Sequence, residues 1–214
     1  MSKIKTAKTV KGHGKIVYVG DERTEELKIE VMRYTKTRFE EKRLKNTEEV
    51  FPLKKGAVNW VNVIGIHHTE AIERIGEKLG VHHLILEDIA NTTQRPKIEN
   101  YDNHIFVILK MIFYDNTSDE AHYEQVSLVI GEDYVVSFQE KEGDVFESIR
   151  DRIRKGGRLR SMKSDYLAYA LIDAVVDNYF LILDNISDKA DIIEKELVNE
   201  PVPKTIFHAS GRVV

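Results

Sequence analysis

Residues 161–199 read SMKSDYLAYALIDAVVDNYFLILDNISDKADIIEKELVN, a run without a single Gly or Pro. Apolar or aromatic side chains recur in it at Leu167, Leu171, Val175, Tyr179, Ile182, Ile186, Ala190, Ile193 and Leu197, in steps of three and four. That period predicts one very long helix. A helix of this length cannot bury all of itself in a compact domain, and steps of three and four are those of a helix seeking another helix. Its C-terminal half is therefore expected to project and to need a partner.

A second stripe, Asp173, Asp177, Asp184, Asp188 and Asp191, lies opposite the apolar one at about 100° per residue. Like charges four residues apart repel by a few tenths of a kcal/mol. Five carboxylates in a row thus cost stability unless cations or another chain neutralise them. A solvated face with Lys163, Lys189 and Lys195 nearby is the plain alternative.

Upstream of the helix the pattern is mixed. Residues 15–20 (KIVYVG) and 27–34 (LKIEVMRY) are β-rich and predict an N-terminal hairpin, with Ile29 and Val31 inward and Glu30 and Met32 outward. Residues 57–66 (AVNWVNVIGI) predict a strand. A helix over 70–79 follows, capped by Thr69 and stopped by Gly80. A second short helix, 83–89, ends near Asn91, and 91–97 is read as a loop because Pro96 forbids continuation. Residues 104–114, 123–130 and 134–139 predict three strands of an antiparallel meander, the last two joined by a tight turn at Gly131-Glu132-Asp133. From Asp144 an amphipathic helix should place Val145, Ile149 and Ile153 on one face and end at Gly156-Gly157.

Strands with interspersed helices followed by a long helix define an α/β protein, an α/β/α sandwich on a mixed, largely antiparallel sheet. Residues 1–160 are assigned to that sandwich and 161–200 to the long acidic helix of the same domain. Residues 201–214 have no periodicity and are read as a truncated or foreign tail.

Composition narrows the function. Of the residues 42% are apolar, enough for a substantial core. Lys and Arg total 32 against 36 Asp and Glu, so a net charge of -4 gives no pull toward nucleic acid or an anionic membrane. The absence of cysteine excludes disulfides, thiolate metal sites and cysteine nucleophiles, leaving carboxylates and histidines as metal ligands. The basic N-terminus has no apolar run behind it, as a secretory signal requires. The apolar stretches around 105–113 and 167–183 are short or broken by Asp and Asn, so the chain is not expected to cross a bilayer by itself. Gly12-His13-Gly14 opens no helix and Gly156-Gly157 closes one, so no phosphate loop is supported, and no G-x-S-x-G nucleophile elbow occurs.

Two clusters could hold a metal. Glu87-Asp88, in LILEDIA over 84–90, follows an apolar run and offers hard oxygens of the kind Mg²⁺ takes. The doublets His67-His68 and His82-His83 invite a transition-metal reading, but neighbouring residues usually point apart and the His-x₃-His spacing is absent. Surface or cap roles fit these histidines better.

In content and order, Leu86-Glu87-Asp88-Ile89, Gln94-Arg95-Pro96-Lys97, Glu124-Gln125-Val126-Ser127-Leu128, Phe138-Gln139-Glu140, Gly143-Asp144-Val145-Phe146 and Asp165-Tyr166-Leu167 to Leu171-Ile172-Asp173-Ala174 closely resemble the CorA cytoplasmic domain. The resemblance runs from about Lys15 to Pro203. It implies the regulatory part of a homopentameric magnesium transporter or channel, not an enzyme, also handling Co²⁺ or Ni²⁺. The sandwich would form a funnel on the cytoplasmic side of the cell membrane and sense Mg²⁺ at subunit boundaries, with Co²⁺ or Ca²⁺ as substitutes. By motif, Asp88 resembles the principal regulatory ligand, and Glu87 and Asp173 resemble members of a second nearby site. Asp177 is a candidate by its i+4 position. In the family an acidic residue on the neighbouring subunit's stalk helix completes both sites. That helix, two membrane helices and a Gly-Met-Asn pore motif are expected downstream of these residues. A free-standing soluble metal-dependent enzyme using the His doublets with Glu87-Asp88, and a self-assembly module with a merely solvated stripe, are the competing readings.

Overall fold

Seven extended segments hydrogen-bond into one mixed sheet. They are β1 (Lys28–Tyr34), β2 (Phe39–Leu44), β3 (Val58–Ile64), β4 (Lys97–Asn100), β5 (Ile105–Asp115), β6 (Glu120–Ile130) and β7 (Tyr134–Gln139). Their order is β2-β1-β3-β7-β6-β5-β4. The computed structural model describes residues 15–115 and 120–199. Helices α1 (Thr69–Leu79), α2 (His83–Ala90), α3 (Glu147–Lys155) and α4 (Ser164–Asn199) complete the fold, with two short 3₁₀ turns. Only β3 and β7 pair in parallel among the pairings resolved; β1–β2, β1–β3, β4–β5 and β6–β7 are antiparallel. The mixed, largely antiparallel sheet with a long C-terminal helix is the fold class expected from the sequence.

By their packing the described residues divide into two units. One holds residues 15–111 and 123–175, the other 112–115, 120–122 and 176–199.

In the first unit every residue of β3 is buried, as a central strand covered on both faces must be. Val61 and Val63 join Ile72 and Ile75 of α1, Ile85 and Ile89 of α2, and Phe106, Val136 and Phe138 in one apolar core. Trp60, alternating to the other face, meets Phe146 edge-on at 6.1 Å and carries the Arg150 guanidinium 5.2 Å from its ring. Thus α1 and α2 cover one face and α3 lies over the other. Leu167, Leu171 and Val175 of α4 are fully buried in this unit, and Ser164 ties the helix start to the Gly131 carbonyl at 2.7 Å.

In the second unit Asn178 donates to the Ile112 carbonyl at 2.5 Å, and the Lys189 ammonium sits 4.3 Å from the Tyr114 ring. Ile182 is buried, while Phe180, Leu181, Leu183, Ile186 and Ile192 are exposed. By length and composition alone Ser164–Lys195 would suffice to cross a bilayer. The first three turns are instead packed in the domain, and Asp173 and Asp177 would each cost about 2.5–3.5 kcal/mol at a bilayer centre.

Several local expectations are corrected. Residues 15–20 form no hairpin with β1: Val19 makes a single parallel bridge to Asn91, and β1 instead pairs with β2 across the turn from Thr35 to Arg38. Met32 faces inward, 4% exposed opposite Trp60, because the second face of the sheet is covered too. Thr69 is the first residue of α1 and His68 its cap, without a side-chain bond, whereas Gly80 ends α1 at φ 68°, the left-handed conformation glycine adopts freely. Helix α3 begins at Glu147, not at Asp144, and residues 161–163 precede α4. The loop over 91–97 gives way at Lys97 to the edge strand β4. The side chain of Leu197 and residues 201–214 fall outside the described residues.

Candidate cation site

Helix α2 is built to hold its last turn still. His82 caps its start by accepting the Leu84 N–H, and Ile85, Leu86, Ile89 and Ala90 turn into the core. Gly76 lets α1 approach closely, since a Cβ there would come within 2.5 Å of the Leu86 side chain. The last carbonyls of a helix lack intrahelical donors. Here Gln125 of β6 reaches across to supply them, its Nε2 donating to the Asp88 carbonyl at 3.1 Å and that of Ile89 at 3.4 Å. Lys110 of β5 donates to the Thr92 carbonyl at 2.7 Å just beyond.

Asp88 is thereby fixed at the edge of the sheet, its side chain 23% exposed. Both carboxylate oxygens are occupied: Oδ1 accepts from Gln94 Nε2 at 2.7 Å and Oδ2 from Lys97 Nζ at 2.6 Å. The same ammonium donates to Glu99 Oε1 at 2.8 Å, and Tyr101 donates its hydroxyl proton to Glu99 Oε2 at 2.9 Å. Burial pulls the Lys97 pKa down, but the bonds to Asp88 and Glu99 outweigh it and leave it above lysine's ordinary value.

The other expected ligands are not brought to Asp88. Glu87 is one residue away on α2, so it points about 100° aside, and it faces His83 at 3.4 Å. Asp173 is exposed on α4 in the first unit, and Asp177, also exposed, belongs to the second. Asp184, Asp188 and Asp191 are exposed as well, so the acidic stripe is a solvent face in this chain. Among the described residues no three His, Asp or Glu side chains gather as a metal would require. Mg²⁺ takes oxygen ligands and keeps several waters. Asp88 therefore fits it as one carboxylate of a water-rich site, not as a complete cage.

The histidines hold structure. His67 and His68 both point Nε2 at the Glu25 carbonyl, at 2.9 and 3.0 Å, which makes both Nε2 atoms donors and leaves each ring's lone pair on Nδ1. Burial, then the neighbouring His68, hold His67 below the ordinary histidine range. An open hollow of about 430 Å³ is lined by both histidines with Lys45, Glu70 and Arg74, and by none of Glu87, Asp88, Asp173 and Asp177.

Other motif residues form polar networks whose roles sequence reasoning did not find. Trp60 Nε1 donates to Ser137, Ser137 to Asn62, Asn62 to Gln139 and Gln139 to Asp144, which grips Arg150 through two bonds of 2.5 and 2.7 Å. On the neighbouring strands Glu140 accepts the Gln125 N–H and an Arg23 guanidinium bond. Glu124 Oε1 accepts the N–H groups of Glu140 and Lys141, while Oε2 is buried without a partner. Polar residues inside strand-like runs were the available signal.

The soluble domain of CorA from Methanocaldococcus jannaschii matches over 85% of this chain and 69% of its own, with a TM-score of 0.60 at 13% identity. The complete CorA magnesium transporter of that organism matches over 85% of this chain and 55% of its own, with a TM-score of 0.64 at 14% identity. These likenesses show the fold. Residues 55–209 match the family model of the CorA-like Mg²⁺ transporter protein. The cobalt/magnesium transport protein CorA of Thermotoga maritima is 44% identical over 90% of this chain. The chain belongs to the CorA-like Mg²⁺ transporter family. It spans 55% of the length of the Thermotoga relative.

Proposed function

We propose that these residues are the cation-sensing part of a CorA-type transporter for Mg²⁺, with Co²⁺ and Ni²⁺ as further cargo, and that they lie on the cytoplasmic side of a cell membrane as one subunit of a homopentamer. The observation that carries this is Asp88: a carboxylate held by Gln94 and Lys97, on a backbone whose carbonyl Gln125 holds, with one chain's share of a ligand set. A neighbouring subunit supplies the rest. Asp88 is the principal ligand, Glu87 and Asp173 serve a second site, and Asp177 adds a further carboxylate on α4.

When bound, Mg²⁺ supplies positive charge between carboxylates of two chains. Asp88 and the α4 stripe otherwise repel the acidic groups of the neighbour, and the subunits separate. A ligand shifts such an equilibrium only through its different affinity for the two arrangements, and a site shared between chains exists in one of them alone. No step of this breaks or forms a covalent bond, in keeping with relatives named as transport proteins rather than enzymes.

In the full-length assembly, Asp88→Asn is expected to raise the Mg²⁺ concentration giving half-maximal protection from trypsin at least about tenfold, a loss of ~1.4 kcal/mol per decade. Protection unchanged by the substitution would refute the reading.

A further inference from the structure

Lys97 occupies the seat a regulatory cation would need. Its ammonium is 2.6 Å from Asp88 Oδ2 and 2.8 Å from Glu99 Oε1, its side chain is 28% exposed, and it lies 5.5 Å from the Phe106 ring centroid. The lone pair of Asp88 Oδ2 that accepts the Lys97 ammonium is not open to a metal at about 2.0–2.1 Å. Two cations on one carboxylate also repel, and partial burial weakens the screening.

Glu99, already bonded to the ammonium at 2.8 Å, can keep it when it leaves Asp88. It stands on β4 two residues from Lys97, on the same side of the strand. Its other oxygen is held by the Tyr101 hydroxyl at 2.9 Å, so the acceptor stays oriented as Lys97 leaves Asp88. The lysine stem is long and flexible enough to release Asp88 and keep Glu99 without moving the backbone.

We propose that Lys97 is a tethered competitor for the Asp88 carboxylate, with Glu99 as its alternative seat, and that this exchange sets the divalent-cation concentration at which the site fills. The inference rests on the proposed role of Asp88. Without a competitor, a fixed carboxylate completed by a second chain would fill at lower cation concentration and respond less over the working range. With one, each binding event must first release the ammonium from Asp88 and leave it on Glu99 alone. Gln94, neutral and on the other oxygen, keeps the carboxylate oriented during the exchange.

The test uses the full-length assembly, MgCl₂ as the probe and the trypsin-protection midpoint as readout, with melting in EDTA to check that each variant is folded. Lys97→Met is expected to lower the midpoint about tenfold, the scale of one charge-assisted bond. Lys97→Arg, which keeps the charge, stays within about threefold of the parent. Glu99→Gln removes the alternative seat and raises the midpoint about threefold or more, so it carries the test should Lys97→Met fail to fold. If Asp88→Asn raises the midpoint but Lys97→Met leaves it unchanged or raises it, or if Glu99→Gln lowers it, the Lys97 inference is overturned and the Asp88 reading stands. If Asp88→Asn has no effect, the Asp88 reading fails and the inference falls with it.

Discussion

Asp144→Ala is expected to cost about 3 kcal/mol of stability at neutral pH, the low end of what removing one partner of a buried ion pair costs. The side chains of Asp144 and Arg150 are 6% and 11% exposed, and two short bonds join them. Burial alone would raise the Asp144 pKa; the Arg150 bonds and charge outweigh it and hold the carboxyl below the ordinary aspartate value. Deleting it strands a guanidinium whose remaining acidic neighbours are more distant, Glu147 at 3.4 Å and Glu30 at 4.0 Å. It also leaves the Gln139 amide without its acceptor at the end of the chain that starts at Trp60. Urea unfolding at pH 7 measures the effect; a loss under about 1 kcal/mol would show that the pair contributes only what an exposed pair does. Stability carried by Asp144 is present above the ordinary aspartate pKa of 3.8 and lost as pH falls through its lower folded value.

Glu124 acts with the opposite sign in a different window. Its pKa is pushed from the ordinary 4.5 up to about 7, first by burial, against the Lys141 N–H, with the nearby Glu140 charge adding to the rise. Between those values the folded state holds a proton that the unfolded state has released. Stability therefore falls as pH rises from about 4.5 to about 7, by about 3 kcal/mol in total, and is level above. Glu124→Gln keeps an acceptor for the two N–H groups and cannot ionise. The variant is expected to gain on the parent steadily from pH 5 to pH 7.5. His67 and His104, held below 6.5 by burial, push the other way in this range, so the variant-minus-parent difference is the quantity to follow. Parallel unfolding profiles for the two proteins would show that Glu124 is ionised in the fold throughout.

Elements with a strong period were legible. The stripe from Leu167 to Val175, the Val-rich β3 and the glycine stop at Gly80 all appear where the sequence places them. Edge strands were not. FEEKRL of β2 carries charge at four of six positions because an edge facing solvent has no core to demand alternation, and the KIEN of β4 is too short to show a period. KIVYVG misled in the other direction, since Ile16 enters the apolar core with Tyr18 against it while Val17 stays exposed, and one bridge forms instead of a ladder. At the candidate site, the proposal for Asp88 came from its motif. The roles of Gln125, Lys97 and Glu99 did not, because each depends on a strand pairing that brings distant residues to one helix end.

On the reading proposed above, Asp88 is part of a site shared between chains. Calorimetric titration of MgCl₂ into residues 1–214 alone and into the full-length assembly tests it most directly. No saturable binding by the isolated chain, with saturable binding by the assembly that Asp88→Asn weakens at least about tenfold, is the predicted result. Stoichiometric divalent cation held by the isolated chain through dialysis would contradict it, and would make the site self-contained.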